Sequence, residues 1–238
     1  MSLELVFQYL VSPTFIHGAI MTLLITVSSL VFGLLAGFLL ALLNQVKFPP
    51  VKWLTVFYLW LFRGTPVLFQ IIFIYNVLPT FGIRLSAFAS GVIALSLNEG
   101  AYMAEIIRSG LQAIKSGQRT AGMALGMTRT MVLRHVVMPQ AARIMLPPIG
   151  NQTIGMLKTS ALVSVIAVEE LLLVANQTAS ATFRYFEALS AAGIYYLALT
   201  TIFMAGQYWM ERALEPKRSR VEKRSLLSAL LQPAEDKH

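Results

Sequence analysis

Residues Gln118 to Gln140 read QRTAGMALGMTRTMVLRHVVMPQ, and where this stretch can lie decides the fold. Arg119, Arg129 and Arg134 keep it out of a lipid-buried helix, because each would carry a charge into hydrocarbon. Yet Met123, Leu125, Met127, Val132, Leu133, Val136 and Val137 are too many apolar side chains for a plain solvated loop. Gly126 suits the end of one short helix, Thr128 the cap of the next, and Pro139 a stop. The pattern predicts two short helices outside the membrane, offering an apolar and cationic surface. That surface meets either a soluble partner or lipid headgroups.

The flanks on both sides are apolar, and so is the whole chain. Of 238 residues, 56% are hydrophobic and 13% charged, with a mean hydropathy of +0.67. Runs of about 20 apolar residues in such a chain imply spanning helices, so the expected class is an all-α polytopic membrane protein. The absence of cysteine excludes disulfides, thiolate catalysis and cysteine metal sites. His17, His135 and His238 are scattered, so no metal site is expected. Glu4 precedes any early basic residue, and a cleaved signal peptide is not expected.

Five spans are predicted. The first covers about Ala19 to Leu43, and the second about Trp53 to Leu78, interrupted at Arg63-Gly64-Thr65-Pro66. The third covers about Ser86 to Ile107. A fourth apolar stretch runs from Arg143 to Val174, with Pro147, Pro148 and Gly150 expected to break its first turns and leave Ile154 to Val174 as the span. A polar loop is expected over 175–186, and a fifth span over Ala188 to Trp209. Residues 1–215 form the predicted transmembrane domain, with its extramembrane loop at about 109–141, and 216–238 a charged tail.

Basic residues orient the chain. In this layout fifteen of the 19 Lys and Arg fall on one side, in the 44–52 turn, the 108–143 segment and the tail. The other side receives Arg84 and Arg184, while Arg63 and Lys158 fall within spans. The positive-inside rule then places the N-terminus outside and the C-terminus in the cytoplasm. This placement accounts for the net charge of +8 without nucleic acid.

With that topology, the 118–140 stretch resembles the cytoplasmic loop of permease subunits of bacterial ABC importers. Their motif reads Glu-Ala-Ala, three residues, Gly, nine residues, Ile, one residue, Leu-Pro. Here Thr120-Ala121-Gly122 fills the triplet, Gly126 the glycine, and Val136 to Pro139 the end; Thr120 replaces the glutamate. Three further stretches are similar to polar amino acid permeases: Arg63 to Pro66 with Gln70 and Phe73 to Tyr75, Ala101 to Arg108 with Gly117-Gln118, and Leu157 to Ile166. The resemblance implies a type I importer fold that pairs with a second permease, either the same chain or a sister. Two cytoplasmic ATPases would dock on 118–140, and an external solute-binding protein would deliver the amino acid. Arg119, Thr120, Ala121, Gly122, Met123, Leu125, Gly126, Met127 and Arg129 would form the ATPase-coupling surface.

Polar residues at bilayer depth point to function. Gln70, Asn98, Glu99, Lys158, Thr159 and Ser160 are the candidates for substrate binding. Lys158 would meet the carboxylate of an amino acid and Glu99 its ammonium. The plainer alternative is that Lys158 pairs with Glu99, while Thr159 and Ser160 bond their own helix carbonyls. Arg63 is expected to satisfy carbonyls freed at the break, and Glu105 with Arg108 to form an ordinary helical pair. Glu169 and Glu170 either face the external binding protein or mark the interface. No nucleophile elbow, metal spacing or phosphate loop appears, so no enzyme and no cofactor is expected in this chain; ATP and Mg belong to the partner ATPase. The rival classes are a self-sufficient secondary transporter and a non-conducting structural subunit.

Overall fold

The computed structural model describes residues 2–46 and 48–214. The predicted tail and Lys47 lie outside these. Among the described residues the chain is helical throughout: α1 (Leu3–Leu10), α2 (Pro13–Leu43), α3 (Pro49–Gly64), α4 (Val67–Val77), α5 (Ala87–Gln112), α6 (Ser116–Ala124), α7 (Arg129–Val132), α8 (Met138–Thr159), α9 (Leu171–Thr182) and α10 (Tyr185–Leu214). Side chains start several of them. Ser12, followed by Pro13, caps α2, Ser86 caps α5 and Glu170 caps α9, each accepting from a first-turn N–H.

By length and composition, α2 and α10 are each able to cross a membrane. Helices α3 and α4 pass the same test together, bent by 104° at their break. The five predicted crossings thus reduce to two, or three with the bent pair, on this criterion. The physical reason is dilution. Helix α5 has 26 residues but carries Asn98, Glu99, Glu105 and Arg108, and the fourth stretch is not one α-helix.

That fourth stretch and its two flanks depart from expectation in three ways. Helix α8 runs unbroken through Pro147 and Pro148 to Thr159, then tightens into a 3-10 segment, Ser160–Ile166, ending at left-handed Ala167. Proline's fixed φ suits a helix, so the two prolines keep the helical backbone and remove only the N–H partners of the Arg143 and Ile144 carbonyls. Helix α10 lies against this stretch, where Gln207 Nε2 donates to the Pro147 carbonyl at 3.3 Å and packs on Gly150. Pro139 does not stop a helix but lies in the first turn of α8. A π-helical turn, Leu133–Val137, precedes it, with the Met138 N–H reaching back to the Leu133 carbonyl. The expected polar loop at 175–186 is largely α9, whose Leu171, Val174, Ala175 and Ala179 are buried at helical spacing.

The tightest packing joins α2 to α5. Ser29, Gly33, Gly37 and Ala41 make a buried row of small residues four apart on α2. Ser96, Gly100 and Ala104 make another on α5. Small residues let two backbones approach closely, which replaces the hydrophobic drive that lipid removes. A second cluster gathers α4, α5 and the 3-10 segment around Ile71, Ala94, Leu95 and Val163. A third fixes α9 and α10 to α1 and the start of α2 through Val6, Phe15, Leu171, Ala188 and Ala191.

Candidate functional site

The break between α3 and α4 builds one wall of the site. Pro66 has no N–H, so the Phe62 carbonyl four residues earlier loses its helical partner. Gln70 Nε2 donates to that carbonyl at 3.0 Å, to the Thr65 carbonyl at 3.1 Å and to Thr65 Oγ1 at 2.8 Å. Asn98 Nδ2 donates to the same Phe62 carbonyl at 2.8 Å and to Gln70 Oε1 at 3.1 Å. The freed carbonyls are therefore satisfied by two amides rather than by Arg63. Arg63 instead lies half-exposed, 3.7 Å from Glu105 and over the Tyr102 ring. Glu105 also pairs with Arg108 as expected at i and i+3.

Beside this wall, between the start of α4, the middle of α5 and α8, is a cavity of about 410 Å³. Thr65, Pro66 and Val67 border it from the break, Leu95, Asn98, Glu99 and Tyr102 from α5, and Gln152, Gly155, Met156 and Thr159 from α8. Glu99 is 4% exposed, and its Oε1 accepts from Gln152 Nε2 at 3.5 Å. The lining thus holds one carboxylate, two amides and two aliphatic hydroxyls.

Of the six residues picked from the sequence, Asn98, Glu99 and Thr159 border this cavity. Gln70 is buried behind it, holding the break. Ser160 is fully buried and donates to the Leu157 carbonyl, and Thr159 Oγ1 donates to the Gly155 carbonyl, so both bond back to their own helix. Lys158 is exposed on another face of α8, and the proposed Lys158–Glu99 pair does not form. Thr65, Tyr102 and Gln152 are lining residues that the sequence reading missed. Gln152 was readable as the polar residue seven before Thr159, but the expected break at Gly150 had put it outside the span. Glu169 and Glu170 also separate: Glu169 is exposed, while Glu170 is fully buried, accepting from the N–H groups of Leu172 and Leu173 and from Tyr196 Oη.

At the other end of the molecule, α6 and α7 fold as predicted around Gly126, whose φ is +81°, and Thr128 Oγ1 accepts from the Met131 N–H. Met123 and Leu125 are exposed, Leu125 by 83%. Met127 is not an outward anchor; it packs against the cluster of Val132, Val137 and Ala141. Exposed Met131 and Leu133 take its place on the surface. Gly122 is buried, and a Cβ there would stand 2.8 Å from Val132 Cγ2, which explains a residue without a side chain in the motif triplet. Arg119 donates to the Leu111 carbonyl at 3.2 Å, Thr120 to the Ser116 carbonyl at 3.3 Å, and Ala121 and Arg129 are exposed.

Residues 29–216 match the family described as the binding-protein-dependent transport system inner membrane component. The chain belongs to this permease family. Curated relatives agree. The arginine transport system permease ArgU of Corynebacterium glutamicum is 36% identical over 94% of this chain and 75% of its own length. The glutamine transport system permease GlnP of Escherichia coli is 38% identical over 80% of this chain and 88% of its own. A crystal structure of an amino acid ABC transporter with histidines contains a chain 41% identical, with a TM-score of 0.83, covering 90% of this chain and 100% of that one. The MetNI methionine ABC transporter, at 17% identity and a TM-score of 0.73, shares the fold. The permease is an inner-membrane component of an ATP-driven importer that works with a binding protein; ATP is bound and hydrolysed by a separate subunit. The secondary-transporter alternative is thereby retired.

Proposed function

We propose that this permease carries a polar amino acid, and that the cargo passes through the cavity between α4, α5 and α8. The observation that carries this reading is a single carboxylate, Glu99, set among amides and hydroxyls in a lining with no basic side chain. An amino acid presents an ammonium, and a buried carboxylate is the strong partner for it. The amide oxygens of Asn98 and Gln152 and the hydroxyl oxygen of Thr159, whose donors are bonded within the chain, are left to accept from the cargo, while Gln70 and Ser160 hold the walls. The relatives named for arginine and glutamine support an amino acid as cargo.

In the membrane, the helices that cross are α2, the bent α3–α4 pair, α5, α8 with its 3-10 extension, and α10. The N-terminus lies outside and the C-terminus in the cytoplasm, an orientation supported by the distribution of Lys and Arg. Residues 1–215 make the permease domain, with the coupling loop at about 109–141, and 216–238 a cytoplasmic tail. A second permease, the same chain or a sister, stands alongside. A pair of ATPases docks on the face formed by Met123, Leu125 and Arg129, and the solute-binding protein docks outside.

The test is uptake of labelled amino acids into proteoliposomes holding the permease with its ATPase and binding protein. We expect ATP-dependent uptake of a polar amino acid. Glu99→Gln should raise KM at least tenfold, since a charge-assisted hydrogen bond contributes about 1.5–3 kcal/mol. Uptake confined to some other class of solute, or an unchanged KM in Glu99→Gln, would overturn the reading.

A further inference from the structure

A second cavity, an open groove of about 470 Å³, runs beside the contact between α2 and α5 and is lined by these two helices alone among the described residues. Ala36 of α2 with Ala89 and Ser96 of α5 form its floor, half-buried or buried, and Phe32, Phe88 and Ile93 stand exposed at its rim. Ser96 carries the one polar side chain of the lining, and its Oγ donates to the Val92 carbonyl at 2.6 Å. The groove therefore presents hydrocarbon and no unspent donor. It is unlike the Glu99 cavity, and neither water nor an amino acid finds a partner in it.

Its setting is lipid. Helix α2 is long and apolar enough to cross a membrane, and its Leu24, Val31 and Leu35 are exposed. Phe32 continues that surface to the edge of the groove. Along α5 the lining extends from Phe88, the second residue of the helix, to Leu97. That rise is roughly 14 Å at about 1.5 Å per residue, against about 30 Å for a whole hydrocarbon core. The groove is thus one leaflet deep and begins at the helix end. Arg84, exposed in the turn before α5, puts a cation at that end, the level of a lipid phosphate. A second protein helix fits less well. Helices associate in a membrane through small residues that let backbones touch, or through polar side chains that bond across. Here the small residues are sunk beneath bulky ones and the one hydroxyl is spent, whereas a flexible hydrocarbon chain can lie on the floor between the rims.

We propose that the groove between α2 and α5 is a binding site for one acyl chain of a phospholipid, with the headgroup toward Arg84. The bound chain packs over the contact where Gly33, next to Phe32, stands against Glu99: a Cβ at Gly33 would lie 2.8 Å from Glu99 Cβ. It therefore braces the helix pair that carries the carboxylate of the Glu99 cavity. The site rests on the reading that α5 crosses the membrane, which labelling of Arg84→Cys and Ser116→Cys from opposite sides tests on its own.

The test is photolabelling of the assembled transporter in proteoliposomes doped with a phosphatidylethanolamine that carries a diazirine in one acyl chain. Leu197 and Ile202, exposed on α10, report bulk lipid. Adducts at Phe32 and Ile93 should exceed those at Leu197 and Ile202 by about fivefold. Ala89→Phe, which fills the groove, should bring them down to the α10 level in a transporter that still assembles, and Ala36→Leu is a second filling variant. Equal labelling of the two places in the parent would overturn the site, and so would an excess that survives both variants. A p-benzoylphenylalanine placed at position 93 should capture phospholipid; capture of a second permease chain there would overturn the site and give this face to the pair.

Discussion

A methyl group at Gly37 would stand 2.4 Å from Met103 Cβ and 2.9 Å from the Ala104 nitrogen. No rotamer relieves a clash with backbone, so the α2–α5 contact depends on this residue having no side chain. Gly37→Leu should lower the stability of the purified permease by about 3 kcal/mol or abolish its insertion, read as thermal unfolding in detergent. Gly64→Ala, where an added Cβ meets nothing within 4 Å, serves as the neutral control. Gln70 carries the same lesson for polar groups. The sequence showed a proline break and implied orphaned carbonyls, yet it favoured Arg63 as their donor. An arginine beside a break is the stronger donor on paper. Gln70 and Asn98 approach from the inside, where a neutral amide is cheaper to bury than a guanidinium.

At the scale of elements, α6 and α7 behave as one rigid corner. Gly126 turns the chain in a left-handed conformation, Thr128 restarts the helix, and Gly122 lets Val132 lie against α6. Gly122→Val should wedge the two apart at a cost of about 1–3 kcal/mol while leaving the membrane helices intact. The expected result is a complex that inserts normally but loses at least tenfold of its substrate-stimulated ATPase rate. A rate within twofold of the parent would show that the corner does not transmit the coupling. This corner was legible because glycine, threonine and the arginines each act locally. The direction of Met127 was not, since helical position alone does not reveal that Val137 and Ala141 wait on its inner side. The same limit applied to α8, where two prolines read as a break although the helix runs through both.

For the whole molecule, the five-crossing topology makes a definite prediction. In intact cells, single cysteines replacing Arg84, between α4 and α5, and Thr182, at the end of α9, should label with an impermeant reagent. A cysteine replacing Ser116, at the start of α6, should label after the membrane is opened. Labelling of 84 and 116 from the same side would mean that α5 does not cross, and the topology would fail. Hydropathy alone marks α2 and α10 as able to cross a membrane, because they have little polar duty. It passes over α5, diluted by Asn98 and Glu99 of the cavity, and α8, diluted by Arg143, Asn151, Gln152 and Lys158, of which Gln152 alone lines the cavity.

The sequence by itself determined the helical membrane class, the corner at 118–140, the break at Pro66 and, through its motifs, the permease family. These rest on local chemistry: charge, proline, glycine and the length of apolar runs. Only the tertiary structure decided which polar side chains meet. It set Gln152 against Glu99, turned Lys158 away from both, and buried Glu170 while leaving Glu169 exposed. A helix advances about 100° per residue, so neighbours such as Lys158 and Thr159 face different surroundings, and which surroundings those are is fixed by helices far away in the chain.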